Sequence, residues 1–173
     1  ITADLTKISN DTGVSMIGLE HRVKTKDSFL RKVGTDSNHS LDAQAITDTI
    51  NSTNDVIRYT YQDNPLNLTN AYMNVTDAMK AKGYEVIRVK NTWLDKRSAY
   101  KGVNCIFKAP SGQKFEIQFH TPESFRIKDG PMHKLYEQSR LETTTPEKRA
   151  ELNKKMFELS AQLEVPVNID RIK

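Results

Sequence analysis

The sequence has 173 residues, 36% hydrophobic and 28% charged, which is enough apolar material for one core and too much for a disordered chain. Its single cysteine, Cys105, rules out an internal disulfide and any cysteine-built zinc site, and no apolar run reaches the length of a membrane span. The formal net charge of +4 suits an anionic ligand such as a nucleotide or RNA, but so small an excess does not distinguish either from an ordinary basic surface.

Residues 2–11 are polar with weak helical spacing. Residues 26–34 (KDSFLRKVG) predict a short helix closed by Gly34, and residues 41–51 (LDAQAITDTIN) a second one capped by Ser40. The β-branched and aromatic run 55–62 (DVIRYTYQ) predicts a strand, after which Pro65 breaks the chain. Leu68, Ala71, Tyr72, Val75, Ala78 and Met79 recur at helical spacing over 67–82, and Gly83 ends that helix. Strands follow at 84–92, 101–108 and 114–120, the last two joined by a Ser111-Gly112 turn into an antiparallel hairpin. The stretch 130–164 predicts two helices divided near Thr145-Pro146; the stripe Leu152, Met156, Leu159 and Leu163 on the second is core packing. Helices, strand, helix, three strands and helices make an α+β sandwich around a mixed or antiparallel sheet. Cys105 falls in an apolar strand and is read as a buried, inert thiol. The aromatics mostly alternate into the core, with Trp93 as the one exposed candidate, so a basic and aromatic RNA platform is disfavoured.

Two segments carry chemistry. On 114–120, Phe115, Ile117 and Phe119 face one way while Glu116, Gln118 and His120 face the other. A solvated outer face is the plain explanation, but Asn104 sits among apolar neighbours on the partner strand. Uncharged hydrogen-bonding groups gathered on one sheet face favour a polar cleft, where a carboxylate can hold Mg²⁺ or accept a proton. The second segment is His21–Lys32, where Arg22, Lys24, Lys26, Arg31 and Lys32 offer fixed cations to a polyphosphate and Ser28 adds a hydroxyl. By itself such a run is equally a solvated face. No Gly-rich phosphate loop occurs, which argues against a P-loop enzyme.

At this point the motifs become specific. Arg22-x-Lys24-x-x-x-Ser28-x-x-x-Lys32 resembles the ATP-binding pattern of RelA/SpoT-type synthetases, and Glu116-Ile-Gln118-Phe-His120-Thr121 is similar to their E-(I/V)-Q-(I/L)-R-T strand. Between them, Asp55-Val-Ile-Arg58 resembles the strand bearing the family's Mg²⁺-binding aspartate, and Tyr100-Lys101-Gly102-Val103-Asn104 stands where the family has G-Y-x-S-x-H. The matching blocks run in the family's order from about residue 20 to residue 136. Three departures fall mainly in the acceptor half: Ala99 replaces a glycine, Asn104 a histidine and His120 an arginine. The family also spaces its Asp and Arg more widely, with a Gly between, whereas Asp55 and Arg58 are three apart. The resemblance is therefore to a divergent, toxin-like branch, of the kind found at the ends of polymorphic toxins and in phage proteins.

The resemblance implies an α+β fold, a mixed, largely antiparallel sheet of about five strands flanked by helices, over residues 1–173 as one domain. It implies transfer of pyrophosphate from ATP to a hydroxyl of an acceptor, either an adenosine nucleotide or a tRNA 3′ end; the alternatives are GDP or GTP as acceptor, and a non-catalytic nucleotide- or RNA-binding module. Arg22, Lys24, Ser28, Lys32 and Arg58 are then expected at ATP. Asp55 and Glu116 are expected to hold Mg²⁺, with Glu116 helping to deprotonate the acceptor and Gln118 orienting it. Tyr100 is expected to stack on the acceptor base, with Lys101, Asn104, His120 and Lys90 nearby. His133 and Tyr136 match an H-x-x-Y pair of the family but are read as structural, because a lone helical histidine is more often packed or capping. The first residue is Ile1 rather than Met, there is no signal peptide, and the family's hydrolase domain is absent from this sequence. The expectation is a domain cut from a longer polypeptide, active in the bacterial cytoplasm after delivery as an effector and neutralised by an immunity protein.

Overall fold

Alternation along one strand organises the molecule. The computed structural model describes residues 1–173, the side chain of Asn51 excepted. The chain runs α1 (Thr2–Thr12), β1 (Ser15–Ile17), α2 (Lys26–Asp36), α3 (Ala43–Ser52), β2 (Arg58–Gln62), α4 (Leu68–Ala81), β3 (Glu85–Asn91), β4 (Val103–Lys108), β5 (Lys114–His120), α5 (Pro122–Ile127), α6 (His133–Ser139) and α7 (Pro146–Ser160). The sheet has the order β1-β2-β5-β4-β3, with β2 and β5 parallel and the other pairs antiparallel. The expected mixed, largely antiparallel five-stranded α+β fold is thus the observed one.

β5 lies at the centre of this sheet, and its odd residues Phe115, Ile117 and Phe119 are fully buried. They pack with Tyr59 and Tyr61 of β2, Cys105 and Phe107 of β4, Leu5 and Ile8 of α1, and Leu68, Val75 and Met79 of α4. Burying side chains of this size contributes about 1.5–3 kcal/mol each, so the face that carries them is fixed and the opposite face is left for polar groups. Burial also pushes the Cys105 thiol up to about 12, which keeps it protonated and inert. A smaller cluster of Ile127, Met132 and Met156, with Leu135, Leu159 and Leu163 against it, seats α6 and α7 beside the polar face.

Several local expectations are corrected. Gly34 does not close α2. The turn beyond it is held by the Lys32–Asp36 pair at 2.9 Å, and the helix stops only where Asn38 and His39 turn left-handed. The cap of α3 is Asp42, whose carboxylate accepts from the Gln44 N–H at 3.0 Å; Ser40 Oγ accepts instead from Asp42 N–H. Trp93 is 3% exposed and belongs to the core, so it offers no surface platform. Two elements had gone unanticipated: the three-residue strand β1, and α5, a short helix begun by a Thr121–Ser124 capping box with Pro122 in its first turn.

Candidate active site

The polar face is built from residues in register. Across the parallel pair, Arg58 stands beside Glu116, Thr60 beside Gln118 and Gln62 beside His120. Across the hairpin, Asn104 stands beside Gln118, and Lys90 of β3 beside Asn104. Glu116, Gln118 and His120 are all buried, so this face is an enclosed polar cleft rather than a solvated surface.

Arg58 is the hub. Its Nε donates to Glu116 Oε2 and its Nη2 donates to Asp55 Oδ2 at 3.1 Å. Asp55 Oδ2 also meets Lys24 Nζ at 3.2 Å, while Asp55 Oδ1 is buried without a partner. Burial pushes the Asp55 carboxyl up, but Lys24, Lys32 and Arg58 together outweigh it and hold the group below the ordinary carboxylate range. Glu116 is further held by Asn104 Nδ2 at 3.0 Å and Gln118 Nε2 at 3.2 Å. Beyond Asn104, its Oδ1 accepts from the Tyr100 hydroxyl, which lies 2.9 Å from His120 Nε2. Burial, with Lys128 and then Arg58 adding repulsion, lowers His120 to about 3, so the ring is neutral. Burial and then Glu116 raise the Tyr100 phenol.

Two clefts open beside this hub. The first, of about 560 Å³, takes Arg22, Lys24, Arg31, Lys32, Arg58 and Arg140 on its walls, with Thr25 and Ser28 at the N-terminus of α2. The second, of about 590 Å³, takes Arg58, Lys90, Arg97 and Lys128, with Tyr100, Gln118 and Asn153. Among the described residues no carboxylate lines the second. Arg58, His133 and Tyr136 belong to both.

The expected site residues therefore divide. Arg22, Lys24, Ser28, Lys32, Arg58 and Asp55 come together at the first cleft, and Tyr100 and Gln118 line the second. Lys101, Asn104 and His120, expected at the acceptor, line neither; Glu116 also stands outside both, joined to them through Arg58, in a small recess that it shares with Lys32 and Asp55. Lys101 Nζ is turned away onto the carbonyls of Thr92 and Asp95, at 3.2 and 2.9 Å, which hold it in the loop. Asn104 and His120 are held back by their bonds to Glu116 and Tyr100. His133 and Tyr136 are corrected from packing residues: Tyr136 is 47% exposed with the Arg140 guanidinium 5.2 Å from its ring centre, and the pair forms the wall between the clefts. The i, i+3 spacing of His133 and Tyr136 was the signal, since it places both on one helix face. Lys128, Asn153 and Arg140 carried no comparable signal. Lys128 enters through the break at Gly130, where the backbone (φ −100, ψ −105) leaves helical geometry inside a π turn.

No helix is long and apolar enough to cross a membrane. Among the described residues no group of three or more His, Cys, Asp and Glu forms a metal cluster.

No family model matches the sequence, and no curated protein matches it. Solved structures do. The Type VI effector Tas1, crystallised with its immunity protein, superposes with a TM-score of 0.59 at 18% identity over 94% of this chain and 89% of its own. The small alarmone synthetase 1 from Bacillus subtilis, bound to its product pppGpp, gives a TM-score of 0.62 at 18% identity over 92% and 80%. A GTP pyrophosphokinase family protein from Streptococcus pneumoniae gives 0.63 at 13% identity over 93% and 79%. The chain thus has the RelA/SpoT-type synthetase fold, shared by alarmone synthetases and a Type VI effector, as its motifs implied.

Proposed function

We propose that a chain with this fold and these clefts is a pyrophosphokinase, moving the β,γ-pyrophosphate of ATP to a ribose hydroxyl of an adenosine nucleotide or of a tRNA 3′ end. The observation that carries the reading is the placement of two clefts on either side of Arg58, with Asp55 and Glu116 both bonded to that one guanidinium.

The cations of the first cleft bind the ATP phosphates, assisted by Ser28 and the N–H groups at the start of α2. Arg58 reaches both clefts and meets the phosphate in flight. The acceptor oxygen bonds to the β-phosphorus, the bond from that phosphorus to the α-phosphate oxygen breaks, and AMP leaves. The acceptor's proton passes to the Glu116 carboxylate, while Gln118 orients the acceptor ribose. Lys90, Arg97 and Lys128 take the acceptor's phosphates, and the Tyr100 ring lines the space for its base. Among the described residues no carboxylate lines the second cleft, and the Asn153 amide there matches the donor–acceptor edge of adenine.

The residues also fit Mg²⁺. Asp55 and Glu116 are hard oxygen ligands, and Asp55 Oδ1 lacks any partner. These two residues would hold the ion, which when bound neutralises phosphate charge. We further propose that the chain is one domain, the toxin end of a longer polypeptide that acts in the bacterial cytoplasm and is countered by an immunity protein. The likeness to Tas1, a Type VI effector solved with its immunity protein, supports this.

The test is incubation of labelled ATP with equal AMP, ADP, GDP and tRNA, followed by resolution of products. The expected outcome is AMP release with a pyrophosphorylated adenosine compound or tRNA. A dominant guanosine product replaces the acceptor assignment, and absence of any transfer overturns the reading.

A further inference from the structure

We infer that Ser124, His120, the Tyr100 hydroxyl and Asn104 form a one-way hydrogen-bonded relay that fixes the Glu116 carboxylate, so that these polar groups position that carboxylate while only the Tyr100 ring faces the acceptor. The inference rests on the proposed role of Glu116.

The direction of each bond follows from the last one. Glu116, paired with Arg58, can only accept, so the Asn104 group 3.0 Å from Oε1 is the amide nitrogen. Asn104 Oδ1 is then turned to Tyr100 and can only accept, which takes the single phenolic proton. The Tyr100 oxygen, its proton spent, must accept from His120 Nε2 at 2.9 Å. His120 is therefore the Nε2–H tautomer, and its Nδ1 lone pair receives the Ser124 hydroxyl at 2.9 Å, the nearer of two acceptors, the other being the Thr121 carbonyl at 3.2 Å. Ser124 Oγ in turn accepts from the Thr121 N–H at 3.0 Å, anchoring the far end to the cap of α5. Every donor points toward Glu116, and bonds aligned this way polarise one another.

The arrangement is enclosed. His120 has no exposed surface, and its ring meets Tyr100 edge-on at 5.4 Å. Gly102 makes room for that contact: a Cβ there would stand 2.7 Å from both His120 Cε1 and the Tyr100 hydroxyl. A histidine kept from both clefts, neutral and singly protonated, has no use as a phosphate ligand. As the middle of a relay it has one. Without it, the Tyr100 hydroxyl loses the donor that commits its proton to Asn104, and the amide is held less firmly against Glu116.

Two measurements decide the matter. In nitrogen-detected NMR of the wild-type chain, with ¹⁵N-labelled histidine and no substrate, His120 is expected as the Nε2–H tautomer; an Nδ1–H or doubly protonated ring near neutral pH overturns the relay whatever the activity. In steady-state assays with ATP and the acceptor that the wild type uses, Tyr100→Phe keeps the ring and loses the proton. Its kcat is expected to fall about tenfold, the effect of one lost hydrogen bond to a charged group's partner, while the acceptor KM stays within about twofold of wild type. His120→Gln, which retains an N–H donor toward Tyr100, is expected to keep most of kcat, whereas His120→Leu and Gly102→Ala are expected to behave like Tyr100→Phe. An unchanged kcat in Tyr100→Phe, or a loss confined to acceptor KM, overturns the positioning role. A wild type inert with every acceptor overturns the role of Glu116 and the positioning claim with it, while the tautomer result stands or falls separately.

Discussion

Arg58 takes part in two ion pairs at once, which governs what replacing either carboxylate does. Glu116→Gln removes the charge on one side of the guanidinium and Asp55→Asn on the other, and each leaves Arg58 with one carboxylate. Because the Glu116 and Asp55 side chains are only 9% and 21% exposed, losing one of these charges costs on the order of 3 kcal/mol of stability, tempered by the carboxylate that Arg58 keeps. The cost in catalysis is at least as large, since a lost oxygen ligand removes several kcal/mol of charge stabilisation at the transition state. Both variants are expected to fold normally by circular dichroism and to lose turnover by a hundredfold or more, on the order of 3 kcal/mol; near wild-type rates in either would reject the assignment. The sign of the pH effect follows from the depressed Asp55 carboxyl. Its ion pairs contribute fully above the ordinary carboxylate pKa and are lost as pH falls through the lower, folded value.

At the scale of elements, the segment leading into α2 brings Arg22 and Lys24 to the first cleft, where the proposed function has them meet ATP, and the two differ in a testable way. Arg22 is exposed and bonds only the Leu19 carbonyl, at 2.9 Å, whereas Lys24 is the partner of Asp55. Arg22→Ala is expected to raise the KM for ATP about tenfold, the worth of one charged hydrogen bond to phosphate, with unchanged melting temperature. Lys24→Ala is expected to raise it as far and also to lower the melting temperature by a few degrees, because Asp55 loses a cation. Equal ATP dependence in mutant and wild type would separate the segment leading into α2 from ATP. The same scale shows what the sequence made legible. β5 could be read to its ends because period-two alternation and an all-aromatic or branched inner face allow one register. Arg22, Lys24, Ser28 and Lys32, grouped by their spacing, line the first cleft together. β1 and α5 are too short for a period to show. Lys101 and His120 were misplaced because a strand pattern gives the face of a residue but not the partner that captures its side chain. His133 and Tyr136 were discounted because nothing local says that a helix face ends at a cleft rather than at a core.

For the whole molecule, the neutral, buried His120 sets an acid limit. The folded ring resists a proton down to about 3, while an unfolded chain takes it up near the ordinary 6.5. Between these values the unfolded state binds more protons, so stability falls as pH falls, at up to ~1.4 kcal/mol per pH unit. Denaturant titrations across about pH 7 to 4 are expected to show this slope in the wild type and a flatter one in His120→Gln; equal slopes would show that the ring titrates freely. The toxin reading is tested on the same scale. Expression of the active chain in bacteria is expected to arrest growth, and expression of Glu116→Gln is not. Harmless expression of demonstrably active protein would reject it.

The wall made by Arg58, His133 and Tyr136 belongs to both clefts, and this has a thermodynamic consequence. A ligand that orders those three side chains on one side changes the surface met by a ligand on the other. The two occupancies are then linked, and linkage is reciprocal: whatever factor ATP imposes on acceptor affinity, the acceptor imposes on ATP. If the wall is ordered by the first arrival, the second binds to a preorganised surface and does not repeat the entropic cost. Two ligands that share one partition are thus coupled by the same factor whichever enters first.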